Sequence, residues 1–166
     1  MIFREAKIED IDTIAGIIAA ASSRLGAAGV DQWQRGYPNR GSIERDVEAS
    51  VGRVLTLDSG EIVAYGALIY SGEKAYEELT GGAWLREGEY AVIHRLCVAS
   101  KYVGCGYSRH FMHQAEVQAA EQVASMRIDT HPENKIMQSL IASLGYTYCG
   151  DVVIESRRLA YEKLLK

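Results

Sequence analysis

The stretch Lys101-Tyr102-Val103-Gly104-Cys105-Gly106-Tyr107-Ser108 sets two glycines two residues apart. An apolar run, Tyr90 to Val98, precedes it. A segment with Phe111, Met112, Ala115 and Ala119 on one helical stripe follows it. Glycine at a helix start is costly unless the backbone must take an unusual conformation or come close to something. Strand, Gly-x-Gly, helix turns successive backbone N–H groups outward at the positive end of a helix dipole, and phosphate is the natural anion for that place. Two familiar phosphate signatures are absent. GxxxxGK[ST] occurs nowhere, and the third glycine of GxGxxG is replaced by Arg109. Two glycines in a strand–helix turn serve a purely structural turn equally well, so the spacing alone leaves both readings open.

Other reactive residue types carry less. His110 and His113 have helical metal-ligand spacing but no third ligand near them in the sequence, which reads as a solvated helix surface and no metal. Cys97, Cys105 and Cys149 are odd in number, widely spaced and without a CxxC pair. They read as free thiols in a reducing compartment, so a cytoplasmic location is expected, without disulfide or zinc. Met1-Ile2-Phe3-Arg4-Glu5 does not begin a basic-then-apolar leader. The net charge of −4 argues against a nucleic-acid partner and leaves room for a cationic substrate. No apolar run approaches the ~20 residues that span a bilayer, so no membrane partner is expected.

The elements that must position these groups follow from periodicity. The 166 residues, 48% of them apolar, predict one domain over 1–166 with a proper core. Residues 2 to 5 read as a strand. Ile8, Ile11, Ile14, Ala15 and Ile18 recur near helical spacing, with Glu9 and Asp10 in the first turn. Residues 26 to 41 read as a loop with an odd concentration of large groups, Trp33, Tyr37 and Arg40. A helix over 42–50 is expected with Ser42 as its N-cap. Val54–Leu57 and Ile62–Ile69, separated by Asp58-Ser59-Gly60-Glu61, predict a hairpin. Residues 70 to 89 are polar and irregular around Trp84. Tyr90–Val98 reads as a strand buried on both faces. A helix at 108–124, a strand at 126–130, a helix at 134–144 closed by Gly145, and strands at 146–154 and 157–165 complete the order. This is mixed α/β with one parallel crossover near the middle.

The loop resembles the coenzyme A signature of the GNAT N-acetyltransferase superfamily, Q/R-x-x-G-x-G/A, with Lys101 keeping the charge of the first position. The likeness extends over nearly the whole chain: the Ile2–Ile18 opening, the Ile62–Ile69 strand, "VIHRLCV" before the loop, Asn134 after the fifth strand, and "LGY" at 144–146. The resemblance implies an α/β fold of GNAT type: a mixed, mostly antiparallel sheet whose central parallel pair splays for coenzyme A, flanked by helices. It implies acetyl-CoA as co-substrate. The pantetheine arm would hydrogen-bond the backbone of Leu96, Cys97 and Val98, with Asn134 contacting or ordering that side. The pyrophosphate would sit near Lys101 on the amides of Val103, Gly104, Cys105, Gly106, Tyr107 and Ser108.

Acetyl transfer to an amine needs the amine deprotonated, the oxyanion stabilised and the thiolate released. The resemblance implies a backbone N–H around Leu96 or Val98 for the carbonyl, and a base on the fourth or fifth strand. His94, whose side-chain type titrates near neutrality, and Asp129 are the catalytic candidates. Core packing and loop bonding are the competing roles for them. The family's frequent acid, a Tyr four residues before the glycine of the last helix, is replaced here by Ile141; Tyr148 is a candidate substitute, and Tyr146 reads as packing. Trp33, Tyr37 and Arg40 are acceptor-site candidates, since this region carries specificity in the family; for Trp33 a small satellite core is the alternative. The expected activity is N-acetyl transfer from acetyl-CoA to a primary amine of a small molecule or peptide, by direct attack. A homodimer is left open. The competing reading is a non-catalytic acyl-CoA-binding module, for which Ile141 is the main argument.

Overall fold

A computed structural model describes all residues, Met1–Lys166. Seven strands form one mixed sheet in the order β1-β2-β3-β4-β5-β7-β6. They are β1 (Ile2–Glu5), β2 (Gly52–Thr56), β3 (Ile62–Ile69), β4 (Ala91–Val98), β5 (Ser125–Thr130), β6 (Thr147–Ile154) and β7 (Ser156–Leu164). The helices are α1 (Ile11–Ala27), α2 (Arg40–Glu48), α3 (Tyr107–Ala120) and α4 (Lys135–Ser143). The pairs β1/β2, β2/β3, β5/β7 and β6/β7 are antiparallel, whereas β4/β5 is parallel. The parallel ladder holds only Ala91 opposite Met126 and Val92 opposite Arg127. Beyond Val92 the two strands no longer pair. No helix is long and apolar enough to cross a membrane.

The chain divides into two compact units. One is Met1–Leu68 with Arg95–Gln114, and the other is Ile69–His94 with Ala115–Lys166. In the first, α1 turns Ile11, Ile14, Ile17, Ile18 and Ala21 onto Ile43, Val54, Tyr65 and Cys97. Phe3 meets Phe111 edge-on at 5.1 Å. In the second, Tyr76, Val92, Val152 and Ala160 are buried under Trp84 and Tyr90. Burial of these apolar groups is the main stabilising term in both units.

Two expected boundaries are corrected. Ile8 is 78% exposed and lies outside the α1 stripe. Asp10 accepts from Lys7 N at 2.8 Å and from the Arg4 guanidinium at 2.7 and 3.1 Å, which fixes a 3-10 turn over Ile8–Asp10 ahead of the helix. Ser42 is not the N-cap of α2. Asn39 is: its Oδ1 accepts from Ser42 N at 3.1 Å, and Ser42 Oγ accepts from Asn39 N at 2.8 Å. A serine three residues inside thus takes the place of the acidic partner in a reciprocal cap. Arg40 therefore opens the helix instead of closing the loop.

The polar segment 70–89 is ordered by specific anchors. It holds a 3-10 turn, Lys74–Glu78. Thr80 bridges Asp151, and Trp84 Nε1 donates to Tyr76 O at 3.0 Å. Leu85 N donates to the fully buried Glu162 at 2.6 Å. Glu162 also accepts from Arg127 Nε at 3.0 Å. The Arg127 guanidinium lies 4.0 Å from the Trp84 ring centre and 3.7 Å from that of Tyr90. This cation–π contact clamps the segment onto the sheet.

Candidate active site

His94 lies on β4, two residues past the last pair of the parallel ladder. Its ring is held between two carboxylates. Nε2 is 3.1 Å from Glu73 Oε2, and Nδ1 is 3.9 Å from Asp129 Oδ2. The first distance is a hydrogen bond and the second is an ion-pair distance without one. The side chains of His94 and Asp129 are only 17% and 9% exposed, while that of Glu73 is 30% exposed and lines an open depression with Lys74, Glu77, Glu89 and Tyr90. Asp129 Oδ2 accepts from the Tyr76 hydroxyl at 2.7 Å. Burial first, then the Asp129 charge, pushes the Tyr76 phenol well above its usual range, so it stays a neutral donor. His94 and Asp129, both anticipated from the sequence, are thus brought together. Glu73 and Tyr76 were not anticipated. They come from the N-cap and interior of the Lys74–Glu78 turn, which is too short to leave a periodic signal.

The next residue on β4, Arg95, has a φ of +59°, which costs a side-chain-bearing residue about 1–2 kcal/mol. Its guanidinium forks onto Asp46, with Nε to Oδ2 at 2.9 Å and Nη2 to Oδ1 at 2.5 Å. The Tyr65 hydroxyl bonds the same carboxylate. Buried Asp46 thereby holds the strained residue in place. Cys97 packs in the same core as Tyr65, and burial pushes its thiol up to about 12, so it is inert at neutral pH.

The expected coenzyme A residues follow. Leu96 and Cys97 are buried, and Val98 is half-buried. Val98 O already accepts from Arg24 Nη2 at 2.8 Å, and Arg24 also donates to Ser100 Oγ. Arg24 gave no sign of this role in the sequence; it fixes the strand end where the loop begins. Lys101 is exposed, 3.5 Å from Glu61 and over the Tyr102 ring. Residues 103–106 are exposed, and Tyr107 and Ser108 begin α3. Gly104 and Gly106 both have φ of +83°, and a Cβ built on either would meet nothing within 4 Å. The glycines are therefore required by backbone conformation, not by crowding within the chain. Two of the expected amides are engaged within the chain, Val103 N donating to Ser100 O at 3.4 Å and Cys105 N to Tyr102 O at 3.2 Å; the first amides of α3, beside the open face of the glycines, lack i−4 carbonyl partners and could hold an anionic group. Asn134 is the N-cap of α4, its Oδ1 accepting from Met137 N at 3.1 Å. Cys105 carries an exposed free thiol.

Trp33, Tyr37 and Arg40 each have a different partner. Trp33 packs against the first unit's core while its carbonyl accepts from Ser22 Oγ at 2.7 Å. The Tyr37 hydroxyl accepts from Arg95. Arg40 forms exposed ion pairs with Asp12 and Glu44. Ile141 is fully buried in α4. Tyr148 is half-exposed and donates to Asp151 Oδ1 at 2.8 Å, and the same carboxylate accepts from Arg157 Nε. No group of three or more His, Cys, Asp or Glu side chains is placed so as to hold a metal ion.

Residues 18–146 match the Acetyltransferase (GNAT) family. A GNAT-family acetyltransferase from Streptococcus agalactiae 2603 superposes with a TM-score of 0.91 at 34% identity, covering 98% of this chain and 94% of that one. One from Listeria monocytogenes 4b F2365 gives 0.79 at 18% identity, covering 98% and 94%. A phosphinothricin acetyltransferase from Sinorhizobium meliloti, solved in complex with AcCoA, gives 0.70 at 10% identity over 98% of this chain and 87% of that one. The last two show the fold alone. No curated protein matches the sequence. The match over most of the chain, with 34% identity over nearly the full length of one family member, makes this chain an acyltransferase that belongs to the GNAT acetyltransferase family.

Proposed function

We propose that the chain transfers an acetyl group from acetyl-CoA to a primary amine of a small molecule or peptide, by direct attack, with His94 as base. One observation carries this: an imidazole on β4, largely shielded from water, is held between Glu73 and Asp129. An aliphatic amine, with an ordinary pKa near ~10.4, is mostly ammonium at neutral pH and must lose a proton before attack. His94 takes that proton, and Glu73, hydrogen-bonded to Nε2 and partly exposed, is the exit to solvent.

Acetyl-CoA supplies an activated thioester carbonyl. The loop amides around Gly104 and Gly106 would hold its diphosphate, Lys101 would add charge, and the backbone at Leu96–Val98 would run beside its arm. Asn134, as the cap of α4, orders the start of that helix. As the amine nitrogen bonds the carbonyl carbon, the C–S bond breaks and the thiolate departs. A thiol with an ordinary pKa of ~8.5 is a tolerable leaving group unassisted, which accommodates Ile141 in place of a tyrosine.

The test is coenzyme A release with mass detection of the product, across aliphatic amines and peptide N-termini. Steady release matched by an N-acetylated amine supports the reading. Release no faster than thioester hydrolysis for every acceptor overturns it.

A further inference from the structure

One short turn sets both partners of His94. Glu73, its N-cap, meets Nε2, and Tyr76, three residues on, meets Asp129. A single atom, Asp129 Oδ2, is 2.7 Å from the Tyr76 hydroxyl and 3.9 Å from His94 Nδ1. The tyrosine and the imidazole compete for it, and the tyrosine holds it. The hydroxyl cannot easily swing away. Its ring is fully buried, lies 5.3 Å from Trp84 and stacks on Tyr90 at 6.2 Å, and its own carbonyl is bonded by Trp84 Nε1.

We propose that Tyr76 is a positioning residue that keeps Asp129 off His94 Nδ1, leaving that nitrogen's lone pair free to take a proton while Nε2–H donates to Glu73. An imidazole bonded by carboxylates on both nitrogens is driven toward imidazolium, which has no lone pair and cannot act as a base. Only Nε2 has a carboxylate at hydrogen-bond distance, 3.1 Å, while the carboxylate beside Nδ1 stands at 3.9 Å. The titratable groups facing it are Glu73 and Tyr76 from the turn and Asp129 from β5. Tyr90 stands behind Tyr76, its hydroxyl accepting from Glu73 N at 3.3 Å. The Arg127 charge rests on the Tyr90 face. The neutrality of the buried phenol means Tyr76 can donate across the physiological range.

The proposal rests on the reading of His94 as base, but its test does not. The imidazole of His94 is followed by nitrogen and carbon NMR against pH, its signals assigned by their loss in His94→Gln. In the wild-type protein, above the midpoint, Nε2 should be protonated and Nδ1 not; a proton on Nδ1 overturns the proposal without any variant. In Tyr76→Phe, Asp129 is released toward Nδ1, and the midpoint should rise by about one pH unit, the lower end of what a close opposite charge produces. In Tyr76→Phe/Asp129→Asn, which leaves no carboxylate unpaired, the midpoint should match that of Asp129→Asn alone. An unchanged midpoint in Tyr76→Phe, or a rise that persists without the Asp129 carboxylate, overturns the proposal. The acid limb of kcat/KM should move with the NMR midpoint, with the KM for acetyl-CoA unchanged. If the NMR midpoint moves and the rate profile does not, Tyr76 positions Asp129 as proposed and His94 is not the base.

Discussion

Replacing Gly106 by Ala isolates the glycine loop. The φ of +83° is a conformation that residues with a Cβ reach at a cost of about 1–2 kcal/mol. The added methyl meets nothing in the protein, so within the chain the perturbation is conformational. Reduced freedom of the unfolded chain returns about 0.4–1 kcal/mol, leaving a net stability loss of about 1 kcal/mol. If the loop cradles a diphosphate, the methyl also stands in the ligand's space, and a shift of the loop to relieve strain misaligns its amides. The two effects should lower coenzyme A affinity at least about tenfold, equivalent to 1.4 kcal/mol. Gly60→Ala is the matched control: its φ is +88°, again with nothing within 4 Å, but it lies in the hairpin turn. Denaturant unfolding should show similar losses for the two variants, and calorimetry should show weakened coenzyme A binding only for Gly106→Ala. A folded Gly106→Ala protein with wild-type affinity would refute the assignment of the loop.

Other consequences are read from buried groups. Asp46→Ala strands the Arg95 guanidinium and the Tyr65 hydroxyl, so unfolding free energy should fall by about 3–5 kcal/mol; a loss under 1 kcal/mol in urea titration would show that Arg95 finds water instead. Cys97, raised from 9.0 to about 12 by burial, and Tyr76, raised well above 10.0, both favour their neutral forms when folded. The unfolded chain releases these protons first, so stability is full below pH ~9 and falls as pH rises toward 12. Urea midpoints should therefore drop between pH 8 and pH 10.5, and equal midpoints would contradict the burial of these groups.

The order of strands and helices was legible because long elements carry their own periodicity. β3 buries nearly every residue, and the hairpin turn names itself in Asp58-Ser59-Gly60-Glu61. The glycine loop was legible for a related reason: φ of +83° twice over leaves a mark in composition. That His94 and Asp129 would lie near each other was legible from their places on neighbouring strands. Glu73 and Tyr76 were not, because a five-residue 3-10 turn held by Trp84, Arg127 and Glu162 has no local pattern; tertiary anchors make it. Asn39 was passed over as a cap because its reciprocal partner is a serine, not an acid. The individual partners of Trp33, Tyr37 and Arg40, namely the core, Arg95 and Asp12, were not legible, because each lies far away in the sequence.

The central claim, amine acetylation with His94 as base, is tested most directly by the pH dependence of kcat/KM for the best acceptor amine in the wild-type, His94→Ala and Asp129→Ala proteins. His94→Ala should lower kcat by about 10²–10⁴-fold, with little change in the KM for acetyl-CoA, and should remove the acid limb seen in the wild-type profile. Asp129→Ala should retain the limb and shift it. Wild-type rates and an unaltered profile in both variants would contradict the account.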